Sequence, residues 1–260
     1  MGEPFKPTYL AEKNRHPRDE FIVFDEGPHI YTVHGQLGYT SVTTWVHQHF
    51  SHFDADAVIQ KMVERGTLNN PENKYYGMTP KQIKKQWADN GKAASSSGTK
   101  MHYDIECYYN GQENPNDSPE YAYFKRFVAD YPELKPYRTE WMVYYEEIKI
   151  SGSIDMIFEN PDGTLLIYDW KRCEEIPYED NYGKVALTPC ISHLPDTKFW
   201  HYSLQLNIYK TILEHKYGKK VVGLFLMRLH PNSQTYDRIE VPVLDKEVAA
   251  LIEERKKLIS

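Results

Sequence analysis

Between residues 150 and 172, two runs of alternating character, SIDMIF and LLIYDWK, flank Asn160-Pro161-Asp162-Gly163. Proline fixes φ and glycine accepts positive φ, so the four residues predict a tight turn and the runs predict a β-hairpin. Centred on Asp162, that hairpin sets Asp155 opposite Asp169, seven residues away on either side, with both side chains on one face. Period-two alternation adds Ile167 and Lys171 to this face and sends Tyr168, Trp170 and Arg172 to the other.

The rest of the chain punctuates itself in the same way. Alternation around Glu26-Gly27-Pro28 predicts a small hairpin over residues 20–34. Ser/Thr caps ahead of Val42, Val46 and Phe50 predict a short helix, and Phe53-Asp54-Ala55-Asp56 caps another to about residue 64, followed by a polar loop over 66–76. Thr79-Pro80-Lys81-Gln82 has the capping-box pattern, and apolar or small positions from Ile83 to Ile105 carry a helix to Tyr109, with a bend expected near Gly91. An aromatic helix over 118–131 and a strand over 139–147 lead into the central hairpin. Residues 174–198 have no clear period, whereas 199–217 read as a helix, 221–229 as an interior strand and 246–259 as a closing helix.

Composition bounds this picture. With 260 residues, 40% hydrophobic and 14% aromatic, the chain can bury a substantial core. No apolar run is long enough to span a bilayer, and MGEPFKPTYLAEKNRHP lacks a signal-peptide core, so a soluble, intracellular protein without a membrane partner is expected. Cys107, Cys173 and Cys190 are scattered and odd in number, which supports neither a disulfide framework nor a zinc site. The net charge of −6 argues against nucleic-acid binding by bulk attraction and leaves any such binding to local patches, of which the row Lys81, Lys84, Lys85, Lys92 and Lys100 is the most basic.

The candidate chemistry lies on the central hairpin. Two adjacent carboxylates repel unless a cation sits between them, and a lysine two residues from a ligand can steady charge on a phosphate or position a water. The alternative is a surface hairpin with an exposed Asp–Lys pair of little energetic consequence. His102 and Glu106, four apart on one helix face and preceded by Gly98-Thr99, are a second source of metal or water ligands. Glu140 could face the same site from the neighbouring strand. Tyr202, Gln205 and Tyr209 form a polar-aromatic strip on a later helix. His47, His49 and His52 read as solvated or core-edge residues, because His47 and His49 do not share a helix face.

Taken in order, GTKMHYDIE, TEWMVYYEE, GSIDMIF, IYDWK and QLNIY resemble the RecB-like branch of the PD-(D/E)XK nuclease superfamily over about residues 90–230, with YTSVTT upstream similar to a segment of the mitochondrial genome maintenance exonuclease type. The resemblance implies an α/β fold, a restriction-endonuclease-like mixed central sheet flanked by helices. An N-terminal hairpin and helical extension over 1–78 would pack on a nuclease core over 79–260. It implies Mg²⁺ or Mn²⁺ held by Asp155, Asp169 and His102, with Lys171, Glu106 and Gln205 completing the catalytic set. Thr99, Lys100, Tyr202, Gln205 and Tyr209 would contact DNA that is single-stranded or has free ends. No iron–sulfur cluster is expected, since relatives that hold one use four cysteines. Lys171-Arg172-Cys173 departs from the Lys-Thr-Ser frequent in relatives. The expected activity is exonucleolytic. A structure-specific or nicking endonuclease, or a nucleic-acid-binding protein that has lost catalysis, are the alternatives.

Overall fold

A computed structural model describes residues 7–259; residues 1–6 of the N-terminal stretch and of the expected extension, and Ser260, lie outside the described residues. The helices are α1 (Tyr9–Lys13), α2 (Val42–Gln48), α3 (Ala55–Glu64), α4 (Pro80–Tyr109), α5 (Pro119–Asp130), α6 (Lys198–Lys216) and α7 (Asp245–Ile259). The strands are β1 (Ile22–Asp25), β2 (Ile30–Val33), β3 (Thr40–Ser41), β4 (Lys135–Tyr145), β5 (Ile150–Glu159), β6 (Leu165–Lys171), β7 (Val221–Arg228) and β8 (Asp237–Glu240).

Helix starts follow the caps in the sequence. Ser41 Oγ accepts from Thr44 N at 3.1 Å, Asp54 Oδ1 from Ala57 N at 3.0 Å, and Ser118 Oγ from Tyr121 N at 3.3 Å. At α4 the capping box closes from both sides, with Thr79 N donating to Gln82 Oε1 at 2.8 Å and Gln82 N to Thr79 Oγ1 at 3.4 Å. The helix then continues without a break through Gly91.

By contact the chain divides into two units: residues up to Ser51 with those from Met101 onward, and His52–Lys100. The boundary expected at 78/79 falls inside the second unit. That unit holds α3 and the first part of α4 around buried Ile59 and Ile83, with Trp87 Nε1 donating to Tyr75 OH at 2.7 Å. Two of its lysines are engaged internally, Lys84 with Asp56 and Lys85 with Asp89, each at 2.6 Å.

The first unit contains a mixed α/β arrangement. Among the described residues, β1 and β2 pair antiparallel as an N-terminal hairpin, and a six-stranded mixed sheet runs β3-β5-β6-β7-β8 with β4 also on β5. Strands β6 and β7 are parallel, joined through α6, while β4–β5, β5–β6 and β7–β8 are antiparallel. Alternation along the central strands fills both faces. Ile157, Ile167, Leu224 and Leu226 join one core with Leu206 and Ile212 of α6 and Val248 and Leu251 of α7. Met156, Tyr168, Trp170 and Met227 join the other with Met101 and Ile105 of α4 and Phe124 and Phe127 of α5. Helix α6 is buried nearly all round, which its polar members tolerate because they are bonded: Asn207 Nδ2 donates to Ser203 O at 2.8 Å and its Oδ1 accepts from Leu244 N at 2.7 Å. No helix among the described residues is long and apolar enough to cross a membrane.

His49, beside α2, gives the fold a pH dependence. Its Nδ1 lies 2.7 Å from Thr188 Oγ1, its Nε2 is buried with no hydrogen-bond partner among the described residues, and burial lowers its pKa from 6.5 to about 4, against the pull of Glu254. The unfolded imidazole takes its proton near 6.5 and the folded one near 4, so its contribution is whole above 6.5 and declines as pH falls through that window. The decline is at most about 1.4 kcal/mol per pH unit. Urea titrations across the window should show a shallower pH slope for His49→Gln than for wild type; parallel slopes would contradict the assignment.

Candidate metal centre

The central hairpin folds in the register that its turn dictates. Gly163 has φ +80° and its N–H donates to Asn160 O at 2.9 Å, while Asn160 N donates to Thr164 O at 2.8 Å. The β5–β6 ladder runs from Glu159–Leu165 to Met156–Tyr168, so the next step along both strands brings Asp155 beside Asp169. There the Asp155 carboxylate enters the backbone bonding, Oδ2 accepting from Trp170 N at 2.9 Å.

Strand β4 brings a third carboxylate. Thr139 pairs with Met156 and Trp141 with Ile154, so Glu140 lies across from Asp155. Glu140 has φ +42°, a left-handed backbone that a side chain with a Cβ adopts only at a cost, and the β4–β5 register shifts between Pro136 and Arg138. Its Oε2 accepts from Ser153 Oγ at 2.7 Å. Helix α4 supplies His102, whose Nδ1 lies 3.5 Å from Asp155 Oδ2 and 3.9 Å from Glu140 Oε1. His102 Nε2 is 2.9 Å from Trp170 O; a carbonyl only accepts, so Nε2 carries the proton and Nδ1 turns toward the carboxylates.

One ligand atom each from His102, Glu140 and Asp155 lies within 4.8 Å of the others. One imidazole nitrogen and two carboxylate oxygens, with the imidazole oriented from behind by a backbone carbonyl, fit a divalent metal ion. The electrostatics agree with an unmet demand for positive charge. Burial first, then Asp169, raises the Asp155 pKa. Burial lowers that of His102, but Asp155 and Glu140 outweigh it and hold it at about 9. Glu106, one turn along α4, is pushed up to about 8 by burial and by Glu140.

The other expected site residues separate into groups. Asp169, 2% exposed, lies outside the three-residue cluster: its Oδ2 pairs with Lys171 Nζ at 2.6 Å and its Oδ1 accepts from Gln205 Nε2 at 3.3 Å. Lys171 Nζ also sits 4.3 Å from the centre of the Tyr202 ring. Burial disfavours its charge, but Asp169 and Asp155 prevail and raise its pKa above the usual value. Tyr209 is 3% exposed, a wall of the site and not a surface residue. Thr99 and Lys100 belong to the second unit, both exposed, with Thr99 Oγ1 donating to Ser95 O at 3.1 Å. Tyr31 of β2 was not among the expected residues. It is 8% exposed, and burial followed by the Glu140 and Asp155 charges raises its pKa to about 12. Alternation within the N-terminal hairpin marks it as inward-facing, but nothing in the sequence says which strand it faces.

Gly152 and Tyr209 form a tight contact behind the cluster. A Cβ at Gly152 would lie 2.7 Å from Tyr209 Oη and 2.9 Å from its Cε1. Gly152→Ala is therefore expected to destabilise the fold by about 1–3 kcal/mol through overpacking, and Tyr209→Leu in the same chain to recover part of it. Denaturant titrations of the two variants check this; a Gly152→Ala chain as stable as wild type would show that the contact yields.

No protein-family model matches the chain, and no curated protein matches it. Among solved structures, it is similar to a candidate exonuclease from Eubacterium rectale over 62% of this chain and 64% of that one, at 11% identity and a TM-score of 0.34. The chain thus spans just under two thirds of that protein's length. It is also similar to the protein SSO0001 over 97% of this chain and 83% of that one, at 17% identity and a TM-score of 0.32.

Proposed function

We propose that the protein is a divalent-metal-dependent deoxyribonuclease that hydrolyses phosphodiester bonds, acting as an exonuclease on single-stranded or end-opened DNA. The observation that carries this reading is the convergence of His102, Glu140 and Asp155 beside the Asp169–Lys171 ion pair. The order of residue patterns that resembles RecB-like nucleases adds to it.

Mg²⁺ or Mn²⁺ in the cluster would polarise the phosphate and lower the pKa of a bound water. His102, Glu140 and Asp155 would hold that ion, with Ser153 and Trp170 fixing the direction of two of the ligands through their hydrogen bonds. Lys171 presents an ammonium anchored by Asp169, and Gln205 holds Asp169 from α6. That fixed positive charge suits the negative charge that develops on phosphate oxygens, and its N–H groups can position the attacking water. Glu106, whose pKa is pushed up to about 8 by burial and the Glu140 charge in the metal-free protein, is a candidate to supply a proton to the departing oxygen. Tyr202, whose ring carries the Lys171 ammonium, would line the substrate strand's path at that lysine.

The test is degradation of end-labelled single-stranded DNA, linear and covalently closed, with Mn²⁺ and with a chelator. Linear strands should be shortened from an end only when the metal is present, and closed circles should persist. Circles cut as fast as linear strands would replace the exonuclease with an endonuclease on the same site, and turnover undiminished by chelator would remove the metal from the mechanism.

A further inference from the structure

We propose that an open cleft beside Lys171 receives an unstacked base of the DNA strand and favours bases that carry an exocyclic amino group; this rests on the nuclease reading and names a specificity element for it. The cleft has a volume of about 630 Å³, within the roughly 300–1,000 Å³ of ordinary ligand sites. It lies between the segment that follows β6 and the β7–β8 pair.

Two connections join it to the site. Lys171 and Arg228 are in-register neighbours on β6 and β7, so the cleft wall begins one strand spacing, about 4.8 Å, from the lysine backbone. Glu174, three residues after Lys171, is tied to that wall by its carbonyl, which accepts from Arg228 Nη1 at 2.6 Å. Arg228 is otherwise engaged by Asp237 and Ser233, so it stiffens the wall and leaves little charge for a phosphate.

The lining suits a flat, polar-edged group. Tyr178 is 51% exposed, yet its ring is backed by Phe199 at 4.1 Å between centroids and its carbonyl accepts from Trp200 Nε1 at 3.1 Å. An exposed ring mounted rigidly is a stacking platform, sequence-tolerant by itself. Arg238 is a fixed part of the lining and not a second platform: its guanidinium is 3.8 Å from the Phe225 ring centre and 4.9 Å from that of Tyr131, with Nε donating to Tyr168 OH at 2.9 Å. The carboxylates of Glu174 and Glu175 are exposed in the same cleft. They repel a phosphate but accept from the amino groups of cytosine, adenine and guanine, whereas thymine presents a carbonyl there. The acidic lining thus favours a base over the backbone and one class of base over another.

The test uses the full chain with Ca²⁺ in place of Mn²⁺, and dye-labelled oligodeoxycytidine and oligothymidine of equal length followed by fluorescence anisotropy. Wild type should bind the cytidine strand about tenfold more tightly. Tyr178→Ala should weaken both by about tenfold, and Tyr178→Trp, which preserves the platform and guards against a folding defect, should not. Glu174→Ala with Glu175→Ala, which removes both acceptors, should collapse the preference. Equal affinity of wild type for both strands, or a folded Tyr178→Ala chain that binds as wild type, would overturn the proposal. Failure of the cleft alone leaves metal-dependent turnover intact, whereas failure of the nuclease reading removes turnover as well.

Discussion

Replacement of Lys171 by alanine should lower the turnover of single-stranded DNA by about 10²–10³-fold, the usual loss when one preorganised donor to a developing oxyanion is removed. The expectation comes from how tightly the ammonium is placed. It is 17% exposed, 2.6 Å from Asp169 Oδ2, and seated over Tyr202, with Gln205 holding Asp169 from the opposite helix. The loss should fall on kcat with little change in KM, because a charge that meets the phosphate chiefly in the transition state adds little to ground-state binding. Lys171→Ala also strands a carboxylate that is 2% exposed, and breaking a buried pair costs about 3–5 kcal/mol. The comparison therefore needs Lys171→Met with Asp169→Asn, which removes both charges. That double variant should regain stability in denaturant titrations but not turnover. Recovery of turnover with stability would reduce the pair to a structural ion pair and remove Lys171 from the chemistry.

The physics that made parts of this molecule readable from sequence is local. The Asp155–Asp169 opposition needed only a turn whose Pro161 and Gly163 fix its centre and a period of two along each strand, and Glu159–Leu165 through Met156–Tyr168 follow that register. The faces separate as alternation requires, Ile167 into one core and Tyr168 and Trp170 into the other. Caps at Ser41, at Asp54 within Phe53-Asp54-Ala55-Asp56 and at Thr79 marked helix starts because a side-chain oxygen and an amide two or three residues away are enough, and Ser118, read only as the start of a helix, caps in the same way. What escaped is non-local or short. Strand β3 is two residues long and is held by long-range contacts, pairing with Ile150 and Ser151 and a hydrogen bond from Arg255 Nη2 to Thr40 Oγ1 at 2.9 Å. Strand β8, Asp237–Glu240, is polar along most of its length and is a strand by virtue of its pairing with β7. Glu140 was legible as a residue that could face the site from the neighbouring strand, but not the backbone angle through which it does so: it reaches His102 and Asp155 from a left-handed conformation next to an irregular stretch of β4, and no periodicity encodes that. The position of Asp169, turned to Lys171 and Gln205, likewise depends on where α6 packs.

That backbone angle makes Glu140 the residue where stability and function should part. A side chain with a Cβ in the left-handed region costs about 1 kcal/mol relative to glycine, and in the metal-free protein the Glu140 carboxylate also presses on Asp155. Glu140→Ala keeps the angle's cost and loses the carboxylate; Glu140→Gly loses both. In chelator, Glu140→Gly should therefore be more stable than Glu140→Ala by about 1 kcal/mol, although the Ser153 Oγ partner is gone in either. Mn²⁺ binding, followed by titration calorimetry in the absence of DNA, should weaken at least tenfold in both, as about tenfold to a hundredfold is lost even when only a supporting residue of a metal site is removed. The two measurements answer separate questions. Equal stability of the glycine and alanine variants would mean the surrounding strands impose no strain at position 140, and unchanged Mn²⁺ affinity would take Glu140 out of the ligand set. A strained acid within an acidic cluster, at a cost that glycine would remove, is what is expected if ligand geometry for a cation is gained there at the expense of fold stability.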